Sequence, residues 1–281
     1  MTVSHRRLVT HAAFVSLAIL PVPPAIAYAQ QTPPDTVAHH IDIFGRRDAI
    51  TAAAFVLGTV AIMPLDRHIA VESQRPSLQN NSALRHTTTA FRVLGEPGSI
   101  VLAGATYVYG RTENSPNSAE LGLRTLESIG AAGIASLLIK GVAGRARPFV
   151  VSDTNPRDYK FGRGFREDNY ASFPSGHVTV AFAAAAAVSE EIPYLWPHAS
   201  HLWTPLLFTS ASIVGIARIY EDKHWASDVV AGAAVSTIVS RIVVRYGRAH
   251  PHNFIDRLLL PVGVSQVNGA RAMTLNWNYR W

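Results

Sequence analysis

The stretch SFPSGHVTVAFAAAAAVS, Ser172 to Ser189, joins two kinds of chemistry in one segment. Pro174 and Ser175 stand at a predicted helix start, where unpaired backbone N–H groups and a hydroxyl attract an anion. Gly176 lets that anion approach the backbone, and His177 falls on the first turn beside it. Taken alone, the turn is equally an ordinary serine cap followed by an incidental histidine. From Ser175 to Ser189 no charge interrupts, and the run Ala183 to Ala187 lets neighbouring helices approach closely. The segment predicts a packed helix with an anion site at its N-terminus.

Further apolar segments occupy Ala49 to Leu65, Pro97 to Gly110, Ser128 to Ile139, Leu202 to Ala217 and Val229 to Ser240. Together they predict an all-α bundle of about six helices. Counted without charges, only Ala49 to Leu65 reaches the ~17–25 residues of a membrane span, so a soluble bundle is the alternative. The last segment extends to Trp225–Val244 when Asp228 lies at one interface and Arg241 snorkels to the other. With that extension the chain reads as membrane-embedded.

At the N-terminus, Arg6 and Arg7, an apolar run from Ala12 to Leu20 and the Ala27-Tyr28-Ala29 site read as an export signal over residues 1–29, cleaved before Gln30. Residues 30–48 read as a polar linker and 49–257 as the helical domain. The tail, 258–281, switches to period two: Leu275, Trp277, Tyr279 and Trp281 alternate with Asn276, Asn278 and Arg280, after a turn at Asn268-Gly269. A terminal β-hairpin is expected, docking its aromatic face on the helices or at a membrane surface.

Composition narrows the function classes. Among the 281 residues, 48% are hydrophobic and 16% charged, with a mean hydropathy of +0.14, which excludes low-hydrophobicity disorder. Cysteine is absent, which removes disulfide scaffolds, thiolate metal sites and cysteine nucleophiles. The net charge of +6 favours anionic partners, but Arg6 and Arg7 leave with the signal, and the mature excess is too mild for a nucleic-acid binder. No glycine-rich nucleotide loop and no Gly-x-Ser-x-Gly elbow occurs.

Two more clusters suit an anion. Lys140 closes an apolar helix, and from there to Arg166 seven basic residues (Lys140, Arg145, Arg147, Arg157, Lys160, Arg163, Arg166) face Asp153 and Asp158. Arg147 offers a planar fork for phosphate. Downstream come Arg218, His224 and Asp228; a helix through the last two would put carboxylate and imidazole on one face, leaving one ring nitrogen free to attack. His198 and His201 read as interfacial surface groups rather than half a metal site, and His39, His40, His250 and His252 as solvated.

In order along the chain, Lys140-x6-Arg147-Pro148, Pro174-Ser175-Gly176-His177 and Arg218-x5-His224-x3-Asp228 strongly resemble the three-part signature of the type 2 phosphatidic acid phosphatase (PAP2) and vanadium haloperoxidase superfamily. Ala217 departs from the serine often found before the arginine. The resemblance implies a metal-independent, cofactor-free phosphatase acting on phosphate monoesters or pyrophosphates, of lipids such as phosphatidate or a polyprenyl carrier, at the periplasmic face of a membrane. It further implies His224 as nucleophile, Asp228 as its orienter and His177 as the acid for the leaving oxygen. Lys140, Arg147, Arg218, Ser175 and the Gly176 backbone would hold the phosphate. A soluble periplasmic acid phosphatase, a vanadate-dependent haloperoxidase and a structural envelope protein are the alternatives.

Overall fold

Several charges inside the helices of this chain are paired with charges on other helices or one turn away. In the computed structural model the described residues are 41–251, 253–259, 262–267 and 270–275, all in one compact unit spanning 40–281. The expected export signal, the linker through His40 and the tail aromatics Trp277, Tyr279 and Trp281 lie outside them.

Helix α1 (Arg46–Ile62) continues through a 3-10 turn (Met63–Leu65) into α2 (Asp66–Ser73). The short α3 (Pro76–Gln79) precedes α4 (Ser82–Val93), and a kink at Leu94–Gly98 leads into α5 (Ser99–Thr112). The remaining helices are α6 (Pro116–Ala143), α7 (Gly176–Leu195), α8 (Trp203–Tyr220), α9 (Ala226–Ala249) and α10 (Phe254–Leu259). The fold is all-α, and the six expected helices correspond to α1 and α5 to α9. Among the described residues of the tail, β1 (Val262–Val267) pairs with β2 (Ala270–Leu275), antiparallel, with Val262 opposite Leu275. The expected hairpin range of 258–281 is too wide at its start, because Leu258 and Leu259 belong to α10.

Helix lengths required the largest correction. Counting charge-free residues stops at Arg124 and Glu127 in α6 and at Arg241 and Arg245 in α9, yet both helices run on, because these charges are paired. Arg124 donates to Glu127 (2.9 Å) and to Asp256 (2.7 Å), Arg245 to Asp48 (2.5 Å), and Arg248 pairs with buried Glu191. Four helical segments are consequently long and apolar enough to cross a membrane: Arg46–Ser73, Pro116–Ala143, Gly176–Leu195 and Ala226–Ala249.

The packing is inverted relative to a water-soluble bundle. Helix α9 buries Ser227, Asp228, Gly232, Ser236 and Ser240, while α1 exposes Val56, Leu57 and Val60 and α6 exposes Ile134, Leu137 and Leu138. Small and polar groups inside, with large aliphatics outside, suit lipid as the surrounding solvent. Helix α7 is central. One face, with Val178, Ala181, Phe182 and Ala185, packs on Ala211 and Val214 of α8 and Ala233 of α9; its other face meets Ile129 and Ala132 of α6. These contacts bring the start of α7 beside the end of α6 and the α8–α9 turn.

Candidate active site

Helix α6 ends where Gly144 takes a left-handed conformation (φ 56°) and returns its N–H to the Lys140 carbonyl at 3.0 Å. A side chain there would collide with the Lys160 carbonyl. The irregular stretch after Pro148 is therefore folded back onto this helix end: Arg163 donates to the Gly144 carbonyl (2.8 Å), and the Phe165 ring lies over Gly141. Lys140 donates its ammonium to the Ala171 carbonyl (2.7 Å) and has its Cε beside Gly176.

Ser175 stands at the N-cap position of α7, but its Oγ caps nothing; it is buried without a partner among the described residues. That removes the ordinary serine cap as an explanation. Gly232 of α9 sits so close to the Ser175 carbonyl that a Cβ would reach 2.8 Å from it, fixing the turn on α9. His177, one residue inside the helix, places Nδ1 2.6 Å from Glu96 Oε2. Arg218, in the last turn of α8, is buried and paired with Glu221, while its Nε has no partner among the described residues.

His224 departs from expectation. It precedes the N-cap residue Trp225 and so does not share a helical face with Asp228. Its Nδ1 lies 2.8 Å from the Ser172 carbonyl and 3.6 Å from Asp228 Oδ2, too far for a hydrogen bond. A carbonyl only accepts, so Nδ1 carries the proton and Nε2 keeps the lone pair. Oδ2, the Asp228 oxygen 3.6 Å from Nδ1, already accepts two other hydrogen bonds. Oδ2 accepts from Ser172 Oγ (2.5 Å) and the Trp225 N–H (2.9 Å), and Oδ1 accepts from Arg145 (2.5 Å). Asp228 thus holds Ser172, and the Ser172 carbonyl holds the imidazole.

Arg145, counted in the sequence only as part of a basic cluster, proves central. It is buried, donating to Asp228, to Asp66 (2.7 Å), to Ser227 and to the Pro156 carbonyl. Asp66 in turn accepts from the Ser227 N–H (2.9 Å) and hydroxyl (2.5 Å). Burial pulls the Arg145 pKa down, but the Asp228 and Asp66 charges more than offset this and leave it raised. Burial is also the main reason the His224 imidazole is pushed down to about 3; nearby Lys140 and Arg147 add to the shift, and Asp228 opposes it. The ring is neutral at physiological pH.

Arg147, expected to grip phosphate, spends Nε and Nη2 on Asp168: on its carbonyl (3.0 Å) and both carboxylate oxygens (2.9 and 3.1 Å). Asp168 is a solvent-exposed partner that an anion can replace. His198 and His201 are exposed, and no group of three or more His, Cys, Asp or Glu among the described residues is arranged to hold a metal ion.

Residues 121–251, which contain all three motifs, match the PAP2 superfamily. The chain carries a PAP2 superfamily domain. Within it, 90 residues are 41% identical to the lipid A 1-phosphatase of Porphyromonas gingivalis, covering 31% of this chain and 19% of that protein. A further match of 88 residues at 35% identity is to an acid phosphatase of Zymomonas mobilis, covering 31% and 30%. The chain therefore matches less than a third of the length of either curated relative. In fold, the chain resembles the crystal structure of a transmembrane PAP2 type phosphatidylglycerolphosphate phosphatase from Bacillus subtilis. The TM-score is 0.50 at 20% identity, over 75% of this chain and 99% of that one. Of the four helical segments long and apolar enough to cross a membrane, Gly176–Leu195 and Ala226–Ala249 lie within the matched residues and Pro116–Ala143 mostly so.

Proposed function

We propose that this protein is a metal-independent phosphatase that releases phosphate from a lipid phosphate monoester or diphosphate through a phosphohistidine on His224. The observation that carries the reading is the pairing of a buried, neutral imidazole, its proton fixed on Nδ1, with a Ser175 hydroxyl that is buried without a partner among the described residues at the start of α7. Nε2 of His224 attacks phosphorus, and the P–O bond to the leaving group breaks as His177 supplies the proton. Water, giving its proton back to His177, then attacks the phosphohistidine and frees inorganic phosphate. Lys140, Arg147, Arg218, Ser175 and the Gly176 N–H hold the non-bridging oxygens and stabilise charge in the transition state, where phosphoryl-transfer catalysis chiefly resides. Asp228 acts through Ser172.

The lipid choice rests on the outward aliphatic faces and is supported by the named activities of the lipid A 1-phosphatase relative and the Bacillus subtilis structure. On this reading the chain is exported and works at the periplasmic face. The acid phosphatase relative supports a second reading, a broad phosphomonoesterase. The test is phosphate release by the purified protein, with chelator present, from phosphatidate, a polyprenyl pyrophosphate and p-nitrophenyl phosphate, beside His224→Ala. Release confined to the lipids supports the first reading, and release from all three the second. Absence of any His224-dependent release overturns both.

A further inference from the structure

Glu96, which pairs with His177, lies outside both the three motifs and the matched residues 121–251. It sits in the kink between α4 and α5, where its own backbone leaves the helical region (φ −126°, ψ 34°) and Pro97 follows. The kink is pinned from outside: Gly95 is buried so tightly against α8 that a Cβ would approach Val214 Cγ1 within 2.7 Å. This places the Glu96 carboxylate across from the first turn of α7, with Oε2 2.6 Å from His177 Nδ1. Lys140 of α6 and Arg218 of α8 also face it, and the His177 hydrogen bond, then these charges, hold its carboxyl below the usual range. An ionised carboxylate only accepts, so the shared proton sits on His177 Nδ1 and Nε2 is the nitrogen left to serve the substrate.

Resting on the phosphatase reading, we infer that Glu96 is the positioning residue for His177, fixing the ring so that Nε2–H meets the leaving oxygen and stabilising the imidazolium that donates this proton. Glu96 touches no substrate. Its contribution matters in proportion to how badly the leaving group needs a proton. An alkoxide leaving from a lipid phosphate needs one; p-nitrophenolate leaves without it.

The experiment uses the full chain in detergent, with Glu96→Gln and Glu96→Asp, on phosphatidate and p-nitrophenyl phosphate. Glu96→Gln is expected to lower kcat on phosphatidate about 10- to 100-fold with KM little changed, and to lower the p-nitrophenyl rate less than about 5-fold. Glu96→Asp, which keeps the carboxylate, should recover part of the phosphatidate loss. Equal losses on the two substrates mean a merely structural role and overturn the inference, as do wild-type rates in Glu96→Gln. Wild-type protein without His224-dependent phosphate release overturns the phosphatase reading instead, and this inference with it.

Discussion

The two histidines of the site are built on opposite plans. At the start of α7, His177 is partly exposed and sets Nδ1 against the Glu96 carboxylate. In the α8–α9 turn, His224 is buried and sets Nδ1 against a neutral carbonyl, with Lys140 and Arg147 near enough to disfavour a second proton. On the proposed mechanism, the carboxylate partner suits His177 to the part of the acid, and the carbonyl partner in a dry cationic setting suits His224 to the part of the nucleophile. The nearest carboxylate to His224, Asp228, is kept 3.6 Å away by its own commitments to Ser172, Trp225 and Arg145.

The largest effect expected follows directly from that contrast. On the proposed mechanism His224→Ala removes the attacking atom, and it should cost about 10⁴-fold or more in kcat on every substrate. His177→Ala should cost about 10²–10⁴-fold on phosphatidate but far less on p-nitrophenyl phosphate. Rates measured on both substrates for both variants give a ratio of ratios. A value near one would erase the distinction between the two histidines.

A second prediction separates two views of Asp228. If it merely aimed His224, Asp228→Asn would leave stability intact. The structure instead makes it half of the counter-charge of a buried guanidinium, with Asp66 as the other half. Leaving Arg145 partly uncompensated should destabilise the fold by about 3–5 kcal/mol, read as a fall in Tm in detergent. Asp66→Asn, which does not touch Ser172 or Trp225, should give a comparable fall.

What the sequence disclosed, and what it hid, follows from chain distance. Lys140, Arg147, Ser175, His177, Arg218, His224 and Asp228 form short motifs, readable because each spacing is local. Arg145 meets Asp66 from 79 residues away and Ser227 from 82, and no local pattern announces such pairs. Glu96 was hidden in the same way, behind a kink whose only sequence trace is Gly95-Glu96-Pro97-Gly98. The helices were readable in number along the apolar runs but not in length, since Arg124, Glu127, Arg245 and Arg248 count as interruptions until their partners are seen. Helices α2 to α4 were missed because they are short or carry few consecutive apolar residues. The expected shared face of His224 and Asp228 failed for a local reason: Asp228 accepts the Trp225 N–H, and the helix begins only after His224.

The smallest effect expected comes from the turn that carries His224, where two groups pull stability in opposite directions with pH. His224, whose pKa falls from 6.5 to about 3 on folding, binds fewer protons folded than unfolded between those values. Stability from this group is present above pH 6.5 and is lost as pH falls. Two residues earlier, Asp222 is pushed up from 3.8 to about 7 by burial, by its hydrogen bond to Asp153 and by the Asp153 charge. It binds more protons folded than unfolded, so its contribution is present below pH 3.8 and is lost as pH rises toward 7. Asp222 has φ 58°, a conformation asparagine tolerates as well as aspartate. Asp222→Asn should therefore stabilise the protein at pH 8, by about 1 kcal/mol after allowing for solvent screening of a half-exposed group, and leave it unchanged near pH 4. Thermal unfolding at the two pH values measures the difference. Equal shifts at both would mean that Asp222 keeps no raised pKa in the fold, and that the pH sensitivity of this turn belongs to His224 alone.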